Sequence, residues 1–161
     1  KLQDSSGLVE AIEDAKAQGF EKEALVEEFA TGQEYSIECV SWKGKHHFLA
    51  MTHKFTTGAP HFIETGHMEP APISQEQLEQ VKKVVFHALD SLEITYGASH
   101  TELKIAKDGT IALIEIGGRM GGDFIGSNLV QLSTGIDFVK AVIDISLGEE
   151  LGVGRSCGSG G

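Results

Sequence analysis

The chain is poor in cysteine, proline and positive charge, and it lacks any long apolar run. Only two of its 161 residues are cysteine, Cys39 and Cys157. That excludes a disulfide framework and makes a reducing cytoplasm the expected setting. Thirteen lysines and arginines stand against twenty-four acids, a net charge of -11. Binding a nucleic-acid backbone needs clustered cations, so nucleic acid is not an expected partner. A phosphate ligand is not excluded, because one metal ion and a few local cations suffice for it. No apolar stretch approaches the roughly 18 residues of a membrane span, so no membrane partner is expected. The three prolines all fall within residues 56–73, "TTGAPHFIETGHMEPAPI". That segment reads as a long loop, and long loops in compact domains commonly carry function. The chain opens on Lys1-Leu2 without a signal-peptide pattern and reads as a piece of a longer protein.

What remains is the composition of an ordinary globular domain, 40% hydrophobic and 23% charged. From Asp4 to Gly19, Leu8, Ala11, Ile12 and Ala15 recur at helical spacing. Ser5 or Ser6 is the expected cap and Gly19 the stop. Residues 24–30 read as a short strand, and the alternating stretch after them as a hairpin turning at Lys43-Gly44-Lys45. Ser74 with Gln77 three residues later opens a second helix, whose buried stripe is Leu78, Val81, Val84, Val85 and Leu89. Strands are expected at 96–107 and 110–117, and a last helix at about 135–147 with Val139, Val142, Ile143 and Leu147 inward. The glycine-rich end, 151–161, reads as a flexible tail.

The sharpest local clue is Asp108-Gly109, a pair that favours a two-residue type I′ hairpin turn. In that register Lys107 faces Thr110, and Glu102 lies directly opposite Glu115. Opposed residues have Cβ atoms roughly 4.5–5.5 Å apart, where like charges repel. Period two adds Lys104 and Leu113 to the same face. Two readings follow: an exposed face moderated by Lys104, or a pair of hard oxygen donors for Mg²⁺. The position of Glu115 between Ile114 and Ile116, just before "GGRMGG", favours the metal. The glycines alone say little, since "GGRMGG" is neither G-x-x-x-x-G-K-[ST] nor G-x-G-x-x-G. Arg119, four residues beyond Glu115, can offer a bidentate fork to a carboxylate or phosphate. His61, Glu64 and His67 are spaced by threes, but they do not form H-E-x-x-H, and a proline-flanked loop is a poor site for zinc.

"TELKIAKDGTIALIEIGGRMGG", with "LVEEFATGQEYSIECV" upstream and "HKFTTGAPHFIETGHMEP" between them, resembles the C-terminal part of an ATP-grasp ligase. It is similar to the carboxylate–amine ligase branch, kin to L-amino-acid ligases, D-alanine–D-alanine ligase and biotin carboxylase. The likeness covers nearly all of residues 1–150. It implies an α+β fold: residues 1–30 as the trailing part of a first ATP-binding lobe with a hinge, and 31–150 as the C-terminal lobe. It implies ATP and Mg²⁺ (or Mn²⁺) as cofactors. Glu27, Glu28, Phe29 and Ala30 match the hinge that meets adenine, and Glu34 the acid that holds the ribose hydroxyls. Lys54 matches a lysine directed to the γ-phosphate, and Glu102 and Glu115 match the two metal acids. Arg119 matches the arginine that stabilises the carboxylate or acyl phosphate, while Glu64 and His67 lie in the amino-acid site. Gly117 departs from the pattern, because many relatives have a metal-binding asparagine there; Asn128 is the candidate replacement. The resemblance implies a small-molecule carboxylate and an amine as substrates, an absent N-terminal lobe as partner, and a homo-oligomer as a further assembly to expect. The isolated chain is expected to lack turnover. A biotin carboxylase-type subunit and a non-catalytic nucleotide-binding module stay open as alternatives.

Overall fold

The computed structural model describes residues 2, 4–58 and 61–150. It divides into two units, Lys1–Ala30 and Thr31–Gly161. The expected tail at 151–161, with Cys157, lies outside the described residues.

The first unit holds helix α1 (Leu8–Gln18), which ends at Gly19 as its spacing predicts. Its N-cap is Gly7 rather than Ser5 or Ser6, and no side chain caps it. Asp4 instead accepts the Ser6 amide and hydroxyl in a local turn that ends before the helix starts. Residues 24–30 do not form the expected strand. A strand is defined by a ladder partner, and no described strand pairs with this extended segment.

The second unit is built on one antiparallel sheet. Its strands are β1 (Gln33–Trp42), β2 (Lys45–Thr56), β3 (Glu64–Met68), β4 (Gly97–Ile105) and β5 (Ile111–Gly117), in the order β3-β2-β1-β4-β5. The first hairpin turns at Lys43-Gly44, both at positive φ, with Trp42 opposite Lys45. β3 lies within the segment that reads as a loop. Its pairing with β2 is the tertiary contact that a local, proline-bounded pattern could not reveal.

Helix α2 (Gln75–Ser91) starts at Ser74, whose side chain accepts the Gln77 amide as expected. Val81, Val85 and Leu89 face Tyr35, Ile37, Cys39, Met51, Leu103 and Ile105 on one face of the sheet. A π-helical turn (Ile125–Leu129) runs into α3 (Val130–Thr134), and α4 (Phe138–Ser146) follows. Val130, Phe138 and Ile145 pack with Val40, Leu49, Ala50 and Ala98 on the other face. The fold is therefore α+β. The inward side of α4 corrects the sequence reading: Phe138, Ala141 and Ile145 are buried, whereas Val139, Ile143 and Leu147 are exposed. Gly135 caps α3 in the left-handed conformation, so α4 begins only after the Asp137 cap. Its nine-residue helical pattern offers two apolar stripes, and Phe138 with Ile145 takes the one that meets the sheet.

The second hairpin reaches the expected pair by an unexpected route. Gly109 has φ of 88°, but Asp108 is not among the positive-φ residues, so the turn is not type I′. Ala106 pairs with Thr110 through a three-residue loop, and Lys107 does not face Thr110. Ile105 accordingly faces Ile111, and Leu103 faces Leu113. A bulge then makes Ile114 the extra residue and restores Glu102 opposite Glu115. Leu113 consequently sits on the Leu103 side, not the Glu102 side.

Candidate functional site

Alternation along β1 divides its side chains between two surroundings. Tyr35, Ile37 and Cys39 enter the α2 core, while Glu34, Ser36 and Glu38 face the other way. Across that second face β1 residues meet Lys54 and Thr52 from β2, and Lys104, Glu102 and His100 from β4. Two bulges complete the set. The pairing shift between Phe55 and Thr56 leaves Thr65 unpaired and sets Glu64 opposite Thr56. The Ile114 bulge does the same for Glu115. Both acids thus reach the Lys54–Glu102 face, although strict period-two counting from their own strands would have turned them away.

The polar groups join in a continuous network. Lys54 is buried, and its Nζ lies 2.8 Å from Glu102 Oε1 and 2.5 Å from Glu64 Oε1. Burial opposes its charge, but the hydrogen bonds to Glu102 and Glu64 outweigh that and raise its pKa. His67 Nε2 lies 3.6 Å from Glu64 and 3.9 Å from Asp123, and its Nδ1 is buried with no hydrogen bond among the described residues. Donor atoms of Glu64, His67 and Asp123 all fall within 4.8 Å of one another. His61 is not part of that group.

On the other side of Glu102, His100 Nε2 approaches Oε1 at 3.3 Å while its Nδ1 hydrogen-bonds Glu38. Burial would keep His100 neutral. Its bonds to Glu102 and Glu38 prevail and push its pKa up to about 9. The His100 hydrogen bond in turn holds Glu102 down to about 2, with Lys54 adding to the effect against the cost of burial. Glu115, directly opposite, is exposed and has no hydrogen bond or ion pair among the described residues. One carboxylate is paired with two cations through its Oε1, and its neighbour is open.

A cleft of about 200 Å³ adjoins this network, lined by Glu34, Lys54, Phe62, Glu102, Lys104 and Ile114 among others. Lys104 bonds Glu34 at 2.9 Å and stands over the Phe62 ring. Arg119 is exposed, and its Nη1 donates to Met120 O at 2.9 Å. A Cβ at Gly117 would meet Arg119 Cγ at 3.4 Å, an ordinary contact with an exposed side chain. Asn128 is exposed in the π-helical turn and accepts from Ser127. Glu27, Glu28, Phe29 and Ala30 lie in the first unit as irregular chain, the three larger residues exposed.

Sequence reasoning missed Glu38 and His100. Glu38 is 0% exposed, in the middle of the central strand. Its signal was available: in "YSIECV" a lone carboxylate interrupts a run that must be buried on both sides. His100 carried a weaker one, two residues before Glu102 and so on the same face.

This architecture, an antiparallel sheet with helices on both faces, is a fold shared with solved structures. The biotin carboxylase domain dimer of Hydrogenobacter thermophilus 2-oxoglutarate carboxylase, solved with MgADP, ADP and bicarbonate, superposes with TM-score 0.78 at 20% identity. The match covers 94% of this chain and 34% of that one, and at this identity it speaks for the fold alone. The ATP-grasp domain profile matches residues 4–127, and the chain belongs to the ATP-grasp family. L-amino acid ligase from Bacillus licheniformis is similar at 36% identity and TM-score 0.68, over 73% of this chain and 30% of that one. Carnosine synthase 1 from Homo sapiens is 28% identical over 130 residues, 81% of this chain and 16% of that protein. The chain thus spans about a third or less of the length of these relatives. Among the described residues, no helix is long and apolar enough to cross a membrane.

Proposed function

We propose that this chain is the metal- and phosphate-handling part of an ATP-dependent carboxylate–amine ligase. The observation that carries the reading is the Lys54–Glu102 pair with an open Glu115 carboxylate directly opposite. Two facing carboxylates offer hard oxygen donors, which suits Mg²⁺ or Mn²⁺. The residues present therefore fit the metal, with Glu102 and Glu115 as its ligands. When bound, Mg²⁺ would neutralise charge on the β- and γ-phosphates of ATP.

The chain's own side chains supply the rest. Lys54 is kept cationic by Glu102 and Glu64 and is available to the transferring phosphoryl group. Glu34, at the cleft, can accept both hydroxyls of a ribose diol. Glu27, Glu28, Phe29 and Ala30 supply the adenine-binding backbone. Arg119 can hold a carboxylate or acyl phosphate through a bidentate fork. Glu64 and His67, with Asp123 beside them, make an anionic pocket suited to the ammonium of an amine substrate. Phosphorylation of the carboxylate oxygen and attack by the amine nitrogen would then expel phosphate and leave an amide. L-amino acid ligase, by its name, ligates L-amino acids, which supports this reading over a carboxylase. The reading extends to a further N-terminal lobe as partner, to a homo-oligomer, and to a cytoplasmic protein.

The test is phosphate release from ATP by the protein that contains this chain, with mixtures of amino acids. Release that needs both a carboxylate and an amine, and is lost in Glu115→Gln, is expected. Release that needs only bicarbonate would replace the ligase by a carboxylase. Nucleotide binding without release under any mixture would leave a non-catalytic module.

A further inference from the structure

The buried Glu38–His100 pair lies beneath the site and is used by none of the steps above. Glu38 Oε2 accepts the backbone N–H of Gly121 at 2.9 Å, and its Oε1 hydrogen-bonds His100. His100 reaches Glu102 with its other ring nitrogen. One carboxylate thereby grips the loop that carries Arg119 and, through the imidazole, the acid Glu102. The two Glu38 contacts join segments far apart in sequence, 83 positions to Gly121 and 62 to His100.

Gly121 carries an independent mark of this grip. A Cβ there would stand 2.5 Å from Glu38 Oε1, 2.9 Å from His100 Nδ1 and 3.1 Å from Glu38 Cδ. Both side chains are buried on central strands and cannot swing aside. At Gly122, the next residue, a Cβ would meet nothing within 4 Å. The first glycine is demanded by the close approach of the pair, whereas the second is not.

We propose that Glu38 and His100 are positioning residues that lock the Arg119 loop to the metal-facing acid Glu102, so that loop and metal site form one unit. The proposal rests on the ligase reading for the role of Glu102. Groups that orient a metal ligand from behind typically change metal affinity by about 10–100-fold when removed. The hydrogen bond from an amide to a charged acceptor is also stronger than a neutral one.

The test uses the full chain, with Mn²⁺ affinity by EPR and Gly121 amide hydrogen exchange by NMR as separate readouts. Gly121→Ala is expected to weaken Mn²⁺ binding about tenfold and to speed exchange across the loop, with Gly122→Ala leaving both unchanged. Glu38→Ala should speed Gly121 exchange most, and Glu38→Gln, which keeps an acceptor oxygen, should restore much of the protection. If Glu38→Ala does not fold, the Gly121→Ala and Gly122→Ala comparison still decides. A folded Gly121→Ala with unaltered Mn²⁺ binding and loop exchange would overturn the proposal. Failure of the metal reading has a different signature: Mn²⁺ binding then ignores Glu102→Gln and Glu115→Gln, while the Glu38 variants still move Gly121 exchange and support the lock itself.

Discussion

The two faces of β1 differ in what holds them. On one, Tyr35, Ile37 and Cys39 meet Val81, Val85 and Leu89 of α2, and apolar contact alone accounts for the packing. On the other, Glu34 and Glu38 are withdrawn from solvent to different degrees and paired with Lys104 and His100 of β4, while Ser36 Oγ is buried with no hydrogen bond among the described residues. A buried ion pair contributes little net stability, because desolvation offsets its attraction. The first face is thus explained by folding, and the second is better explained by the chemistry it arranges.

That contrast can be broken from either side, and the largest effect is expected at its most buried charge. Glu38→Ala leaves His100 without its partner and should cost about 3–5 kcal/mol, since removing one member of a buried pair strands the other. A urea titration that finds less than 1 kcal/mol would mean that water reaches the pair. Leu89→Ala, on the opposite face, should cost about 3 kcal/mol through lost burial and a residual cavity. Unlike Glu38→Ala, it should leave Mn²⁺ affinity of the folded chain as it was; a tenfold change would show the two faces to be coupled.

The pH response sharpens the same contrast in the metal-free chain. His100 is raised from an ordinary 6.5 to about 9, so its contribution is complete below pH 6.5 and is lost as pH rises through 9. Glu102 is lowered from 4.5 to about 2, so its contribution is complete above pH 4.5 and is lost as pH falls through 2. Between those two groups, stability should be flat from pH 4.5 to 6.5 and decline on either side. Urea midpoints measured in EDTA would check this, and His100→Asn should flatten the alkaline decline. The smallest effect is expected outside both faces, at the α2 cap: Ser74→Ala should cost about 1 kcal/mol and nothing in metal binding.

The same division governed what the sequence disclosed. Elements whose pattern is local were legible: the Ser74 cap, the Val81–Val85–Leu89 stripe, and the Lys43-Gly44 turn. β3 was not, because its five residues become a strand only against β2. Neither were the residues from Ile125 to Thr134, where a short π-helical turn interrupts the helical period. The Glu102–Glu115 pairing was read correctly from an incorrect turn, because a three-residue loop and the Ile114 bulge cancel in the count. Bulges leave no trace in period-two patterning, yet here they aim Glu64 and Glu115. Glu34, Lys54, Glu64, His67 and Arg119 were singled out as candidates by motif order, and Glu102 and Glu115 by the hairpin register as well. Glu38, although within "LVEEFATGQEYSIECV", was given no role by it, and His100 lies outside the quoted segments; the pair emerges only from the packed face.

The most direct measurement is Mn²⁺ titration followed by loss of the free-ion EPR signal, on the chain and on Glu102→Gln and Glu115→Gln. Binding that weakens at least tenfold in each variant, and tightens when ADP is added, is the predicted result. Binding indifferent to both substitutions would place the metal elsewhere and contradict a ligase site on this face.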